Sequence, residues 1–222
     1  MSTETTVVSE WNSLLRFLQD NAFRMVLVEG SRGVGKSTFI NKLQECTSFE
    51  YYKTWGRNQR NERHKLGESG LDITQGTYFI LDFISQVCPF GPVISDRGNL
   101  SALVYQYANY YEAHELHTYY ASLMLRSKSV LLVLDAPVDM VLARRVGRKE
   151  DDEQRLYIWP PESAKAIVEK DCRMYDAAVR KMLNAGMKLC ATFELDGIEC
   201  CCYIHKDLLL TREESHDADE DT

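Results

Sequence analysis

The sequence predicts an α/β fold, a five-stranded parallel sheet with helices on both faces. Three observations carry that expectation. Short apolar runs alternate with segments of helical periodicity along most of the 222 residues. The runs at Met25–Val28 and Ser129–Leu134 read as buried strands rather than as alternating ones. Several of them stop at turn residues, as at Glu29-Gly30, Asp96-Arg97 and Asp135-Ala136-Pro137. The length suits one domain, and no internal repeat or interior linker interrupts it.

Trp11, Leu14, Leu15, Phe17 and Leu18 recur at helical spacing, so Ser9 to Asn21 reads as an amphipathic helix, and residues 1–22 as an N-terminal helical extension. Met25 to Val28 is the first strand, followed by a glycine-rich turn and a helix from Thr38 to Cys46. Phe49 to Thr54 reads as the second strand, Gly56 to Gly70 as a polar, basic stretch, and Tyr78 to Val87 as a helix. Pro92 to Ser95 gives the third strand, and Leu100 to Arg126 a long helical region broken near Tyr111. Ser129 to Leu134 is the fourth strand, followed by a short helix from Asp139 to Val146. The charged segment Arg148 to Pro161 reads as a mobile loop, Glu162 to Leu183 as a helix and Leu189 to Leu195 as the fifth strand. Residues 23–210 thus form the domain, and residues 147–161 an irregular segment on it.

The formal charge is -7, unevenly placed. Glu213, Glu214, Asp217, Asp219, Glu220 and Asp221 stand against Arg212 alone, so residues 211–222 read as a disordered acidic tail. The remaining chain is nearly neutral and offers no extended basic surface for a nucleic-acid backbone. Seven cysteines make an odd count without paired spacing, and Met1 to Glu10 lacks an apolar leader core, so reduced thiols in a cytoplasmic compartment are expected. Cys200-Cys201-Cys202 with His205 invites a metal reading; taken as helical, the adjacent cysteines point apart, and no second ligand pair accompanies them. His114 and His117 have no acid or nucleophile partner and are expected at the surface. No stretch is apolar for long enough to span a bilayer.

Gly30-Ser31-Arg32-Gly33-Val34-Gly35-Lys36-Ser37 fills every fixed position of G-x-x-x-x-G-K-[ST] between a strand and a helix. Glycines at these places let successive backbone N–H groups converge on phosphate oxygens, and the helix start adds its positive dipole end. Lys36 then neutralises β and γ phosphates, Ser37 ligates magnesium, and Thr38 completes the set that holds ATP.

A second signal is Val93-Ile94-Ser95-Asp96-Arg97-Gly98-Asn99-Leu100-Ser101-Ala102-Leu103-Val104-Tyr105-Gln106. It resembles the thymidylate kinase pattern of a strand, D-R, a serine four residues on, then Y-Q. Leu134-Asp135-Ala136-Pro137, with Arg144, Arg145 and Arg148 beyond it, resembles that family's fourth strand and arginine-bearing lid. Leu195-Asp196-Gly197 resembles its fifth-strand motif near the adenine pocket. The resemblance covers roughly Met25 to Gly197 and implies a P-loop nucleoside/nucleotide kinase fold with the lid at 147–161; deoxynucleoside kinases share the plan. It implies that Asp96 orients magnesium, Arg97 grips the acceptor's phosphate, Tyr105 selects deoxyribose, and Arg144, Arg145 and Arg148 close over the transferring phosphoryl group. Gln75 aligns loosely with the base-reading glutamine of deoxynucleoside kinases, and Phe79 or Phe83 offers a ring able to stack on a base. The plainer alternatives are a solvated helix end for Arg144 to Lys149, a structural ion pair for Asp96-Arg97, and core packing for Phe79.

Two departures bear on the acceptor. Arg32 stands where the family often has aspartate, and Lys53-Thr54-Trp55-Gly56-Arg57 replaces the acid- and proline-bearing end of the second strand. Phosphorylating a hydroxyl benefits from a general base, whereas a monophosphate attacks through an oxygen already ionised and needs offsetting positive charge. Lys53, Arg57, Arg60 and Arg63 supply charge, which favours a monophosphate acceptor such as dTMP. The alternatives are a deoxynucleoside kinase, or a P-loop NTP-binding regulator with no small-molecule acceptor. The expected partners are ATP, Mg2+ and a small nucleotide, with neither membrane nor nucleic acid; a homodimer is compatible.

Overall fold

A computed structural model describes residues 3–53, 92–98, 100–101, 104, 114–147 and 161–208. The strands are β1 (Met25–Gly30), β2 (Glu50–Lys53), β3 (Val93–Asp96), β4 (Ser129–Asp135), β5 (Met187–Leu195) and β6 (Ile198–His205). The helices are α1 (Thr3–Asp20), α2 (Lys36–Cys46), α3 (His114–Arg126), α4 (Val138–Val146) and α5 (Pro161–Asn184). Every residue of β1 is buried, as the apolar run Met25–Val28 predicts, and Glu29 is buried with it. Val26 and Val28 of β1, with Val130, Leu132 and Leu134 of β4, face a core shared with Leu14 and Leu18 of α1 and with Phe39, Ile40 and Leu43 of α2. Met25, Leu27, Leu131 and Val133 point the opposite way, onto Tyr120 and Met124 of α3 and Tyr175, Ala178 and Met182 of α5. Helices therefore cover both faces, as expected.

The sheet corrects the expected architecture. Among the described residues six strands are ordered β2-β3-β1-β4-β6-β5. β2, β3, β1 and β4 are parallel, but β6 runs antiparallel to both β4 and β5, so the sheet is mixed and not a five-stranded parallel one. The cause is local. Asp196 (φ 56°) and Gly197 (φ 75°) form a tight turn between paired Leu195 and Ile198. Positive φ at both central positions matches the right-handed twist of a hairpin, and Asp-Gly favours that conformation. The chain turns back at Asp196, and the returning strand takes the place beside β4.

The same strand corrects the reading of Cys200-Cys201-Cys202. They lie on β6, not on a helix, and alternate across the sheet, with Cys200 and Cys202 buried. Among the described residues no group of three or more His, Cys, Asp or Glu side chains could hold a metal. His117 is also corrected: it is 3% exposed, on the α3 face that carries Tyr120, Ala121 and Met124 inward. Among the described residues no helix is long and apolar enough to cross a membrane.

His205 closes β6 with its ring almost wholly buried. Burial lowers its pKa below the usual imidazole value; nearby Asp207 opposes the shift and Lys206 adds to it. The folded state thus favours neutral imidazole, and its contribution is present above the ordinary histidine pKa of about 6.5 and lost as pH falls below it. The thermal midpoint of the wild type is expected to drop more than that of His205→Gln between about pH 7 and pH 5. Parallel melting curves would reveal an imidazole of no consequence.

Candidate functional site

The glycine-rich loop leaves the carboxyl end of β1, which lies between β3 and β4 in the sheet. Ligand crevices of open α/β sheets form where neighbouring connections diverge in this way. Two close approaches fix the loop. A Cβ on Gly30 (φ 137°) would come within 2.4 Å of the Leu134 carbonyl oxygen of β4, and one on Gly33 (φ 90°) within 2.5 Å of Arg145 Cγ. Either contact would push the loop away from the element that supports it.

The loop ends at Gly35, and α2 begins at Lys36 without a side-chain cap on its first amides. Uncapped amides at a helix start favour an anion. Lys36 is 6% exposed, and its Nζ donates to the carbonyl oxygens of Gly30 and Ser31, both at 2.8 Å. Its ammonium is folded back over the loop. Ser31 and Val34 are buried, Arg32 is partly buried, and Ser37 and Thr38 are exposed on the first turn of α2.

Parallel pairing of β1 with β3 places Asp96 opposite Val28, two residues before Gly30. The Arg97 N–H extends that ladder by donating to the Val28 carbonyl at 3.0 Å. Asp96 lies beside Tyr51 of β2; burial raises the Tyr51 phenol's pKa first, and the charge of Asp96 and a hydrogen bond to it raise it further. The phenol therefore stays protonated as a donor to Asp96. Arg97 has φ 73°, a left-handed conformation that costs a non-glycine residue about 1–2 kcal/mol. Its Nη1 donates to Ser101 Oγ at 2.9 Å and to Tyr175 Oη of α5 at 3.0 Å.

Glu29 lies beneath this turn, 0% exposed. Its Oε1 accepts from the N–H of Gly98 at 2.6 Å and of Ser101 at 3.0 Å. Its Oε2 accepts from the Ser101 hydroxyl and, at 3.4 Å, from Tyr175 Oη. One carboxylate of β1 thus ties the glycine-rich loop to the turn that carries Asp96 and Arg97. Buried charge is tolerated only with such a complement of donors. Glu29, Ser101 and Tyr175 were not among the predicted site residues. An acid within an otherwise apolar buried strand was the available signal for Glu29; nothing local marked Tyr175.

Two predicted arginines diverge on α4. Arg144 Nη1 donates to the Val34 carbonyl of the loop. Arg145 lies across Gly33 and pairs with Asp171 of α5 at 2.8 Å, its side chain 6% exposed. Arg144 is thus at the loop, while the Arg145 guanidinium is committed to a buried ion pair. Arg148, Arg57, Gln75, Phe79 and Tyr105 lie outside the described residues, as does most of the 147–161 segment.

A cleft of roughly 610 Å³ opens between the end of β4, α5 and the β5–β6 turn. Asp135, Glu169, Asp176, Glu194 and Glu199 line it against Arg173, so its field repels phosphates. It is separate in character from the loop, although Cys172 belongs to its wall and lies beside Ser31. Burial raises the Cys172 thiol's pKa; the Ser31 hydroxyl opposes this, and Asp135, Asp171 and Asp176 add to it, which leaves a protonated, weakly nucleophilic sulfur. No protein-family model matches the chain, and no curated protein matches it.

Proposed function

We propose that this chain is a P-loop phosphotransferase that moves the γ-phosphoryl group of ATP to a deoxynucleoside monophosphate, with dTMP the first acceptor to test. The observation that carries the reading is Glu29. Its carboxylate holds the Asp96-Arg97 turn against the glycine-rich loop, so that one cation serves each of two neighbouring anions. The loop suits a triphosphate: Gly33 has no room for a Cβ, the first amides of α2 have no side-chain cap, and Lys36 is already inside the cradle.

Magnesium fits the remaining donors. The exposed Ser37 hydroxyl and the Asp96 carboxylate would hold it, and magnesium commonly takes its other ligands from water and substrate phosphates. When bound it offsets charge between the β and γ phosphates. The chain's own residues do the rest. Lys36 exchanges its loop carbonyls for phosphate oxygens, Arg144 brings a guanidinium to the loop at Val34, and Arg97 receives the acceptor's phosphate. Glu29 already accepts four hydrogen bonds and is no candidate for a general base. That supports an acceptor which is ionised before it attacks.

The test is an acceptor screen with radiolabelled ATP across the common nucleosides and their monophosphates. Label appearing in dTDP from dTMP supports the proposal. Transfer to thymidine but not dTMP would instead make the chain a deoxynucleoside kinase, and ATP retention without acceptor-dependent ADP release would make it a regulator. Arg97→Ala is expected to raise the acceptor KM by about 10-fold or more and to cut kcat, with ATP affinity nearly unchanged. Steady-state kinetics in both substrates measures this, and an unmoved acceptor dependence would place that substrate elsewhere.

A further inference from the structure

Arg97 carries the acceptor side of this reading, yet its backbone is strained and its side chain leaves a turn rather than a regular element. A strained residue persists only where its surroundings hold it. Two hydroxyls do so from different parts of the chain. Ser101 lies four residues on, whereas Tyr175 comes from α5, 78 residues away in sequence. Both oxygens accept from the same Nη1, and they stand 2.7 Å from each other. Ser101 donates its proton to Glu29 Oε2, and the single phenolic proton of Tyr175 is shared between Ser101 Oγ and, at 3.4 Å, Glu29 Oε2, so the lone pairs of both oxygens are left for the guanidinium. The order is cation, hydroxyl pair, buried anion. Tyr175 is 4% exposed, so its ring is fixed by packing and its oxygen has little freedom to wander.

We propose that Tyr175 is a positioning residue for Arg97: its phenolic oxygen, paired with Ser101 Oγ, aims the guanidinium at the acceptor's phosphate. Helix α5 thereby sets acceptor binding without touching the acceptor. The same helix carries Asp171 one turn earlier, where it holds Arg145 across the glycine-rich loop. A single helix face thus steadies an arginine on each side of the site. This inference rests on the phosphotransfer reading for the word acceptor, but not for the geometry.

The test uses the full chain and two readouts. In steady-state kinetics Tyr175→Phe is expected to raise the acceptor KM by about tenfold with the ATP KM changed by less than about twofold. In the background of Arg97→Lys the same substitution should add little, because the group it aims is gone. Tyr120→Phe, another fully buried tyrosine in the same apolar cluster, should leave both constants unchanged. The second readout needs no activity. The arginine side-chain NMR signal assigned to Arg97 by its loss in Arg97→Lys should be sharp and slowly exchanging in the wild type and should broaden in Tyr175→Phe. If Tyr175→Phe fails to fold, Ser101→Ala removes the other hydroxyl and gives the same two readouts. An Arg97 signal unchanged by loss of the phenol overturns the proposal whatever the assay gives. So does a broadened signal with an unmoved acceptor KM in an active enzyme. If no acceptor supports ADP release while the signal still broadens in the variant, the phosphotransfer reading fails and the positioning of Arg97 stands.

Discussion

Lys36→Ala is expected to lower ATP-dependent transfer by about 10³-fold or more while leaving the protein folded. The side chain enters the cradle from the first residue of α2 and donates to two loop carbonyls at 2.8 Å. Alanine keeps the helix but removes the ammonium from the cradle, leaving the backbone amides and Arg144 to serve the phosphates that the proposal places there. The structural loss is two hydrogen bonds at about 1 kcal/mol each, too small to unfold a domain of this size. Lys36→Arg is expected to rescue little, because a planar fork cannot fold back onto both carbonyls as a compact ammonium does. Transfer kinetics alongside a melting curve separates lost chemistry from lost fold. Undiminished turnover in the alanine variant would take Lys36 out of the reaction.

The largest effect on stability is expected at Glu29. Glu29→Ala leaves the amides of Gly98 and Ser101 buried without their acceptor and opens a void beneath the Asp96-Arg97 turn. Each orphaned amide costs about 1–3 kcal/mol, so a loss of about 3–5 kcal/mol is expected for the variant. Urea titration measures it as a fall in the midpoint at constant slope. Glu29→Gln retains one acceptor oxygen and the side-chain volume, and should recover part of the loss. A deficit below about 1 kcal/mol for the alanine variant would show that water or neighbouring groups replace the carboxylate with ease.

The parts of the fold that depend on local rules were legible in the sequence. The apolar runs at Met25 and Ser129 became central parallel strands because buried strands need no polar face. The glycine-rich loop lay where its motif placed it, between β1 and α2. The sixth strand is not expected when Leu195-Asp196-Gly197 is read as a fifth-strand motif, although Asp-Gly between apolar Leu195 and Ile198 is a strong hairpin signal. Missing that turn cost the sixth strand and put the cysteines on the wrong element. Of the ties around Arg97, Ser101 stands in the D-R-x-x-x-S pattern, whereas Tyr175 was illegible for a different reason. Tyr175 reaches them from 78 residues away, and no periodicity in α5 sets that tyrosine apart from its neighbours in the core. The Arg145–Asp171 pair, 26 residues apart in sequence, was hidden in the same way.

The hairpin also determines how the sheet ends. Among the described residues β5 forms the outer edge, where Leu189 is 51% exposed, and the pairing with β6 slips by a residue between Leu189 and Ala191. An unbroken row of amides and carbonyls at such a margin would template a strand from another molecule. The irregularity twists the margin and breaks its register partway along β5. The chain thus carries its own guard against edge-to-edge aggregation at the place where an apolar side chain would otherwise invite it.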